Sequence, residues 1–485
     1  MLGNHLRVGY VAVQLSTYFA DEEDQVGRAL RGLTAIGERQ GFDLVPALAP
    51  VESAEQAEAA RHFLALRSLD ALIVHAAACS LADTLLALVA LDVPLVLWAG
   101  PEPTFEGDVR LNSYVTLQIF ASTLRTRFGG GRGSGRPYKW MFGEVEDPAF
   151  EDRLQVTIRA LRAVRALRAR PISMVGALAP GFDNLSFDEG DLAHRFGLNV
   201  THAAVPDLVL AAEAQPPSVV AEVQRAMAAA ARSIEVPEES LTRSARTYLT
   251  LRDLANRTGC SSLAVRDWPE FQSMYQLSPL LAMAWLSEAE GYPVACEGDL
   301  LGAAGLTVLK AVADHLPTLV DFGPPDLPGD AALLWHLGSS PHRLANHEGV
   351  RYRVHSTLGR RGNGGPWGAV VDQVFAPGPV TLVNLSHEAH DLFVMEAEIF
   401  DRPSRGLSGD RGWSRAFSVG GTEVALPELL NTLLVRGLAH HCGMVQGRWT
   451  DELSEFGQWL GLRLVAPIRP SRALQVDWAD GDSGQ

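Results

Sequence analysis

Ala71-Leu72-Ile73-Val74-His75, then the run 81–91, then Pro94-Leu95-Val96-Leu97-Trp98, reads as strand, helix, strand. Short, near-continuous apolar runs are what strands buried on both faces require, and a helix between two of them is the crossover that joins parallel neighbours. The longest apolar stretch, 85–98, is interrupted by Asp92 and Pro94 and falls short of the roughly 20 residues of a membrane span. It is therefore the end of a helix, a turn and a buried strand.

The same rhythm extends in both directions. Upstream, 7–14 and 44–48 read as strands and 23–40 and 54–66 as helices. Downstream, a helical run ends near Arg170 and Pro171 opens a second series: strand 171–177, helix 187–196, strand 197–204, and helices over 218–234, 240–258 and 278–290. Beyond about residue 336 the pattern changes to alternating strands over 350–356, 367–375, 380–385 and 392–400. Turn signals such as Asn363-Gly364-Gly365 and Pro377-Gly378-Pro379 separate them. A helix over 426–436, a strand through His440-His441, a helix over 451–460 and a strand over 463–465 close the series. The expected fold class is α/β, with two Rossmann-like parallel-sheet α/β domains (1–170 and 171–335) followed by a β-rich C-terminal domain (336–478). The glycine-rich stretch 129–135 lacks the Lys-Ser/Thr of a phosphate-binding P-loop and reads as a connector.

Composition narrows the chemistry. The 485 residues carry 41 basic and 57 acidic side chains, a net charge of −16, which disfavours nucleic acid and anionic membrane surfaces as partners. The two lysines, Lys139 and Lys310, leave few candidates for Schiff-base chemistry. The four cysteines, at 79, 260, 296 and 442, form no C-x-x-C pair, so neither a disulfide framework nor a cysteine-rich zinc site is expected. The N-terminus runs into Gln14 and Ser16 with no signal-peptide pattern, and a cytoplasmic protein is expected.

Four polar residues stand at or near the ends of apolar runs: Glu297 before Gly298-Asp299, Asp321 before Phe322-Gly323, His336 after Ala332-Leu333-Leu334-Trp335, and His441 in Ala439-His440-His441-Cys442. Ligands of open α/β sheets bind beyond the carboxyl ends of strands, so these side chains are candidates to converge. Two carboxylates with imidazoles make a hard, mixed oxygen and nitrogen donor set, suited to Mn²⁺ or a similar divalent ion. Simpler roles stay open: Glu297 as the cap of a helix starting near Leu300, Asp321 as the start of a turn, each histidine as a satisfied core or surface residue. Successive strand residues face opposite sides, so at most one of His440 and His441 is expected at a given site.

These motifs resemble the L-fucose isomerase and L-arabinose isomerase superfamily of metal-dependent aldose–ketose isomerases. The matching strings, in order, are Ala295-Cys296-Glu297-Gly298-Asp299, Leu319-Val320-Asp321, Leu334-Trp335-His336-Leu337-Gly338, Pro377-Gly378-Pro379-Val380-Thr381-Leu382 and Ala439-His440-His441. Asn112-Ser113 and Tyr138-Lys139-Trp140-Met141-Phe142-Gly143 resemble the family's first domain. The resemblance implies Mn²⁺ held by Glu297, Asp321 and His441 with His336 as a further ligand, and Glu297 and Asp321 as the acid/base pair. It implies sugar contacts from Gln14 and Asn112, although the residues around Gln14 depart from the arabinose-type motif. His355 and Arg360-Arg361, in a second glycine-rich loop, have no assigned role. A homo-oligomer, a hexamer or a related assembly, is also implied. The second carboxylate is Asp, as in the fucose type, whereas Ala-His-His resembles the arabinose type, which leaves the sugar open between a pentose and a 6-deoxyhexose. Two rival expectations are a non-catalytic sugar-binding or regulatory protein on the same scaffold and a metal-dependent hydrolase or lyase.

Overall fold

The computed structural model describes residues 5–129, 136–354, 368–386, 390–404 and 407–475. The glycine-rich stretches at 130–135 and 359–365, with His355 and Arg360-Arg361, lie outside them. The chain divides into two compact units, Met1–Arg165 and Ala166–Gln485.

In the first unit β1 (Leu6–Val13), α1 (Gln25–Gln40), β2 (Phe42–Pro46), α2 (Ala54–Ala65), β3 (Ala71–Ala76), α3 (Ala82–Val89) and β4 (Leu95–Ala99) alternate as the apolar runs predict, and α4 (Ser113–Phe128) and β5 (Tyr138–Phe142), which those runs do not mark, continue the series. The strands form one parallel sheet in the order β2-β1-β3-β4-β5. β3 and β4 are buried along their whole length, because neighbours and helices cover them. The helix α5 (Pro148–Ala169) contains the division between the units.

The second unit begins with β6 (Ile172–Val175), α6 (Glu189–Phe196), β7 (Val200–Ala203), α7 (Val205–Glu213), α8 (Pro217–Ala230), β8 (Ser233–Ile234), α9 (Glu238–Thr258), β9 (Ser262–Val265), α10 (Glu270–Tyr275), α11 (Leu280–Glu290), β10 (Val294–Ala295) and α12 (Leu300–Ala313). Four of its strands make a second parallel sheet, β10-β9-β6-β7. The chain continues as β11 (Thr318–Asp326), β12 (Ala331–His336), β13 (Arg351–Val354), β14 (Ala369–Val374), β15 (Gly378–Ser386), β16 (Asp391–Phe400), β17 (Asp410–Val419) and β18 (Thr422–Glu423). It ends with α13 (Leu426–Val435), β19 (His441–Gln446), α14 (Thr450–Trp459) and β20 (Arg463–Leu464). These later strands, with β8, build a β-rich sheet in which β16-β15-β19-β11-β12-β17 run side by side, and a further pairing of β16 with β17 closes them into a ring. The fold is thus mixed α/β, with parallel-sheet parts followed by a β-rich part. Among the described residues no helix is long and apolar enough to cross a membrane.

The ring's register positions the site. β11 and β19 are antiparallel, with Val320 opposite Cys442 and Asp321 opposite His441. Val320 and Cys442 join the apolar cluster of Leu382, Phe393, Met395 and Phe417. Alternation along each strand then turns Asp321 and His441 to the other face. Near Leu306 and Leu309 of α12, Gly443 lets that helix lie close to β19 on this side.

Candidate active site

Three elements meet at His441. Glu297 follows β10, the edge strand of the second parallel sheet; Asp321 is on β11; His336 is the last residue of β12. The Nε2 of His441 lies 3.5 Å from Glu297 Oε2, 3.7 Å from Asp321 Oδ1 and 3.4 Å from His336 Nε2. Its Nδ1 lies 3.0 Å from Asp299 Oδ2. The structure thus brings together Glu297, Asp321, His336 and His441, and adds Asp299.

Asp299 does two things. Its Oδ1 accepts the Gly302 amide at 2.7 Å, which makes it the N-cap of α12, and its Oδ2 fixes the His441 ring. The capping role that the sequence left open for Glu297 therefore belongs to Asp299. Glu297 is released to face the histidines, and Asp321 sits within a strand rather than opening a turn.

His440 corrects an expectation. Both histidines reach Glu297, His440 Nε2 at 3.4 Å from Oε2 and His441 at 3.5 Å. Strand alternation does not apply because β19 starts at His441, and His440 belongs to the loop before it. That loop is pinned by Asn384, whose Nδ2 donates to the carbonyls of Ala439, at 3.0 Å, and His441. His440 stacks on Phe182 at 5.4 Å between centroids, and its Nδ1 is 3.0 Å from Asn184 Nδ2. Neither Asn184 nor Phe182 carries a local motif.

Charge follows from burial and partners. Burial opposes a charged His441, but the bond to Asp299 and then the charges of Asp299, Asp321 and Glu297 outweigh it and push the imidazole up to about 9. Burial is also the largest influence on Asp321, lifting its carboxyl above the ordinary range against the pull of His441 and His440. Glu297 Oε2 and Asp321 Oδ1 are buried oxygens with no hydrogen-bond partner. Two overlapping triads, Glu297-His440-His441 and Asp321-His336-His441, each bring their ligand atoms within 4.8 Å of one another. Such a set could hold a divalent cation, since both oxygens lie beside imidazole nitrogens and neither accepts a hydrogen bond. On the Asp299 side of His441 a cavity of about 430 Å³ opens, lined by Asn184, Ser186, Asn384 and Ser386 among others.

Gln14 and Asn112 both lie in the first unit. Gln14 follows β1 and is buried, its Nε2 3.4 Å from Asp21 and from Glu52. Asn112 stands at the N-cap position of α4 with φ +56° and makes no side-chain capping bond; its Nδ2 is 3.4 Å from the Tyr18 hydroxyl.

No family model matches the chain. It is similar to proteins named sulfoquinovose isomerase. That of Alkalicoccus urumqiensis is 25% identical over 386 residues, covering 77% of this chain and 80% of the relative. That of Priestia aryabhattai is 25% identical over 376 residues, 76% and 79% of the two chains. That of Clostridium sp. strain MSTE9 is 26% identical over 268 residues, 54% and 58%. These relatives set aside the non-catalytic reading: the chain is an enzyme, an aldose–ketose isomerase.

Proposed function

We propose that this isomerase works at a divalent-cation centre held by Glu297, Asp321, His441 and His336, with Mn²⁺ the ion its oxygen and nitrogen donors suit, and that it belongs to the L-fucose and L-arabinose isomerase superfamily. The observation that carries this reading is the pair of buried carboxylate oxygens on Glu297 and Asp321 that accept no hydrogen bond and lie beside His441 Nε2. A bound divalent cation would supply Lewis acidity to the carbonyl and adjacent hydroxyl oxygens of an open-chain sugar.

The residues would do the proton chemistry. One carboxylate of the Glu297/Asp321 pair takes the C2 proton of the aldose and returns it at C1, through a cis-enediol. The other serves the transfer between the two oxygens, and each exchanges roles in the reverse direction. The raised carboxyl of Asp321 suits a group that must be protonated and deprotonated within one turnover. Asp299 keeps the His441 ring oriented, as second partners of metal-bound imidazoles do.

The proposed substrate is a pentose or a 6-deoxyhexose. Sulfoquinovose, a 6-deoxyhexose with a sulfonate at C6, is the member of that class which the names of the relatives put first. The family resemblance further supports a homo-oligomer, the division into domains 1–170, 171–335 and 336–478, and sugar contacts from Gln14 and Asn112. The protein incubated with Mn²⁺ and a panel of pentoses, 6-deoxyhexoses and sulfoquinovose in D₂O should exchange the C2 proton of one sugar and form its ketose, followed by NMR. Chelation should remove at least 100-fold of that activity and Mn²⁺ restore it. Release of any second product would favour a hydrolase or lyase, and turnover that persists after chelation would remove the metal from the reading.

A further inference from the structure

Glu297 has a backbone that works against its place in the site. Its φ is +60°, in the left-handed region that a residue with a Cβ disfavours, and Gly298 follows at +71°. The two left-handed residues lie in the segment between β10 and α12 from which the Glu297 carboxylate faces His440 and His441. A conformation of this kind persists where the surroundings over-determine it. Ala179 donates its amide to the Glu297 carbonyl at 2.8 Å, and Gly298 donates to the Val265 carbonyl at 3.0 Å. The Glu297 amide donates to Asp267 Oδ1 at 2.8 Å. The first two ties are backbone to backbone. The third is set by a side chain.

Asp267 lies two residues beyond the end of β9 and is 1% exposed. Its Oδ2 is buried with no hydrogen-bond partner, so its carboxyl makes one amide contact at the expense of an unsatisfied oxygen. Gln272 Nε2 donates to its carbonyl at 3.0 Å and holds the segment in place. The next residue, Trp268, packs edge-on against Phe182, the ring that stacks on His440. This short segment therefore holds the Glu297 amide and, through Phe182, lies behind the ring of His440.

We propose that Asp267 is a positioning residue for Glu297: it holds the Glu297 peptide in its left-handed conformation and so sets the direction of the Glu297 carboxylate. The consequence for ion binding rests on the metal-centre reading above; the consequence for the Glu297 backbone does not. The test compares Asp267→Ala and the similarly branched but apolar Asp267→Leu, which lack the acceptor, with Asp267→Asn, which keeps one. Mn²⁺ affinity by calorimetry, thermal unfolding without metal, and crystal structures of the variants are the readouts. Folded Asp267→Ala or Asp267→Leu should bind Mn²⁺ 10- to 100-fold more weakly, the loss typical of removing a supporting partner of a ligand. Asp267→Asn should stay within about threefold of the starting protein, as an oxygen acceptor at the same place requires. A purely structural residue would lower the unfolding temperature in all variants without separating Asn from the others in affinity. Affinity retained in a folded Ala or Leu variant, or lost equally in Asp267→Asn, overturns the proposal. Should the starting protein bind no divalent ion, the metal reading fails, and the Glu297 backbone decides on its own. A relaxed φ in Asp267→Ala or Asp267→Leu supports the role of Asp267, and an unchanged left-handed Glu297 overturns it.

Discussion

His75 in the first unit and His441 in the second are equally hidden, 1% and 3% exposed, and carry opposite chemistry. His75 stands in β3, stacked on Trp98 at 4.0 Å, with its Nδ1 2.8 Å from the Tyr10 hydroxyl and its Nε2 buried without a hydrogen-bond partner. Burial without a counter-charge holds its imidazole down to about 3. Burial also opposes a charge on His441, but Asp299, Asp321 and Glu297 surround it and push it up to about 9. A buried histidine is held neutral or charged according to the carboxylates beside it.

That contrast breaks first at turnover. His441→Ala and Glu297→Gln should each lower kcat/KM by at least 1,000-fold, on the order of 4 kcal/mol of transition-state stabilisation. His75→Asn should leave it within about twofold. Isomerase assays on purified, folded variants check both, and a His441→Ala protein with a tenth of its activity would place the chemistry elsewhere. A smaller effect is expected from Asp299→Asn. Asparagine caps a helix about as well as aspartate, so α12 and the unfolding temperature should change little. The charge that holds His441 is lost, and Mn²⁺ affinity should fall roughly 10- to 100-fold. Equal losses of stability and affinity would show that Asp299 acts through the helix rather than the imidazole.

Much of this arrangement is legible from residues alone. The strands around His75 are found within a residue or two because apolar runs bounded by Pro94, Gly41 or Asp70 leave few alternatives. Glu297, Asp321, His336 and His441, which the structure brings together, are singled out by one rule, polar residues at or near the ends of apolar runs, and Asp267, just past Arg266 at the end of β9, lies close to the same position. Three features escape it. The left-handed φ of Glu297, which turns it away from the cap, is shown by no spacing, whereas Asp299, directly before Leu300, stands where a helix starting there takes its cap. Whether His440 obeys strand alternation depends on β19 starting one residue later. The closure of the ring through β16 and β17 is a long-range pairing with no local signature.

The smallest predicted effect isolates His75. Its folded pKa lies below the value near 6.5 expected in the unfolded chain, so the unfolded state takes up a proton that the native state refuses. The stabilisation from keeping His75 neutral is complete above pH 6.5 and is lost progressively as the pH falls toward 3. Between pH 6 and pH 5 the native protein should lose about 1 kcal/mol through this group. His75→Asn keeps an acceptor for the Tyr10 hydroxyl and removes the titration. It should lower stability at pH 7.5 through poorer packing against Trp98, yet show a shallower decline between pH 6 and pH 5 by that same amount. Denaturant unfolding of both proteins at the two pH values measures the difference in slope. Parallel curves would mean that native His75 accepts the proton as readily as the unfolded chain does, and the contrast with His441 would then lie in charge partners alone, not in desolvation.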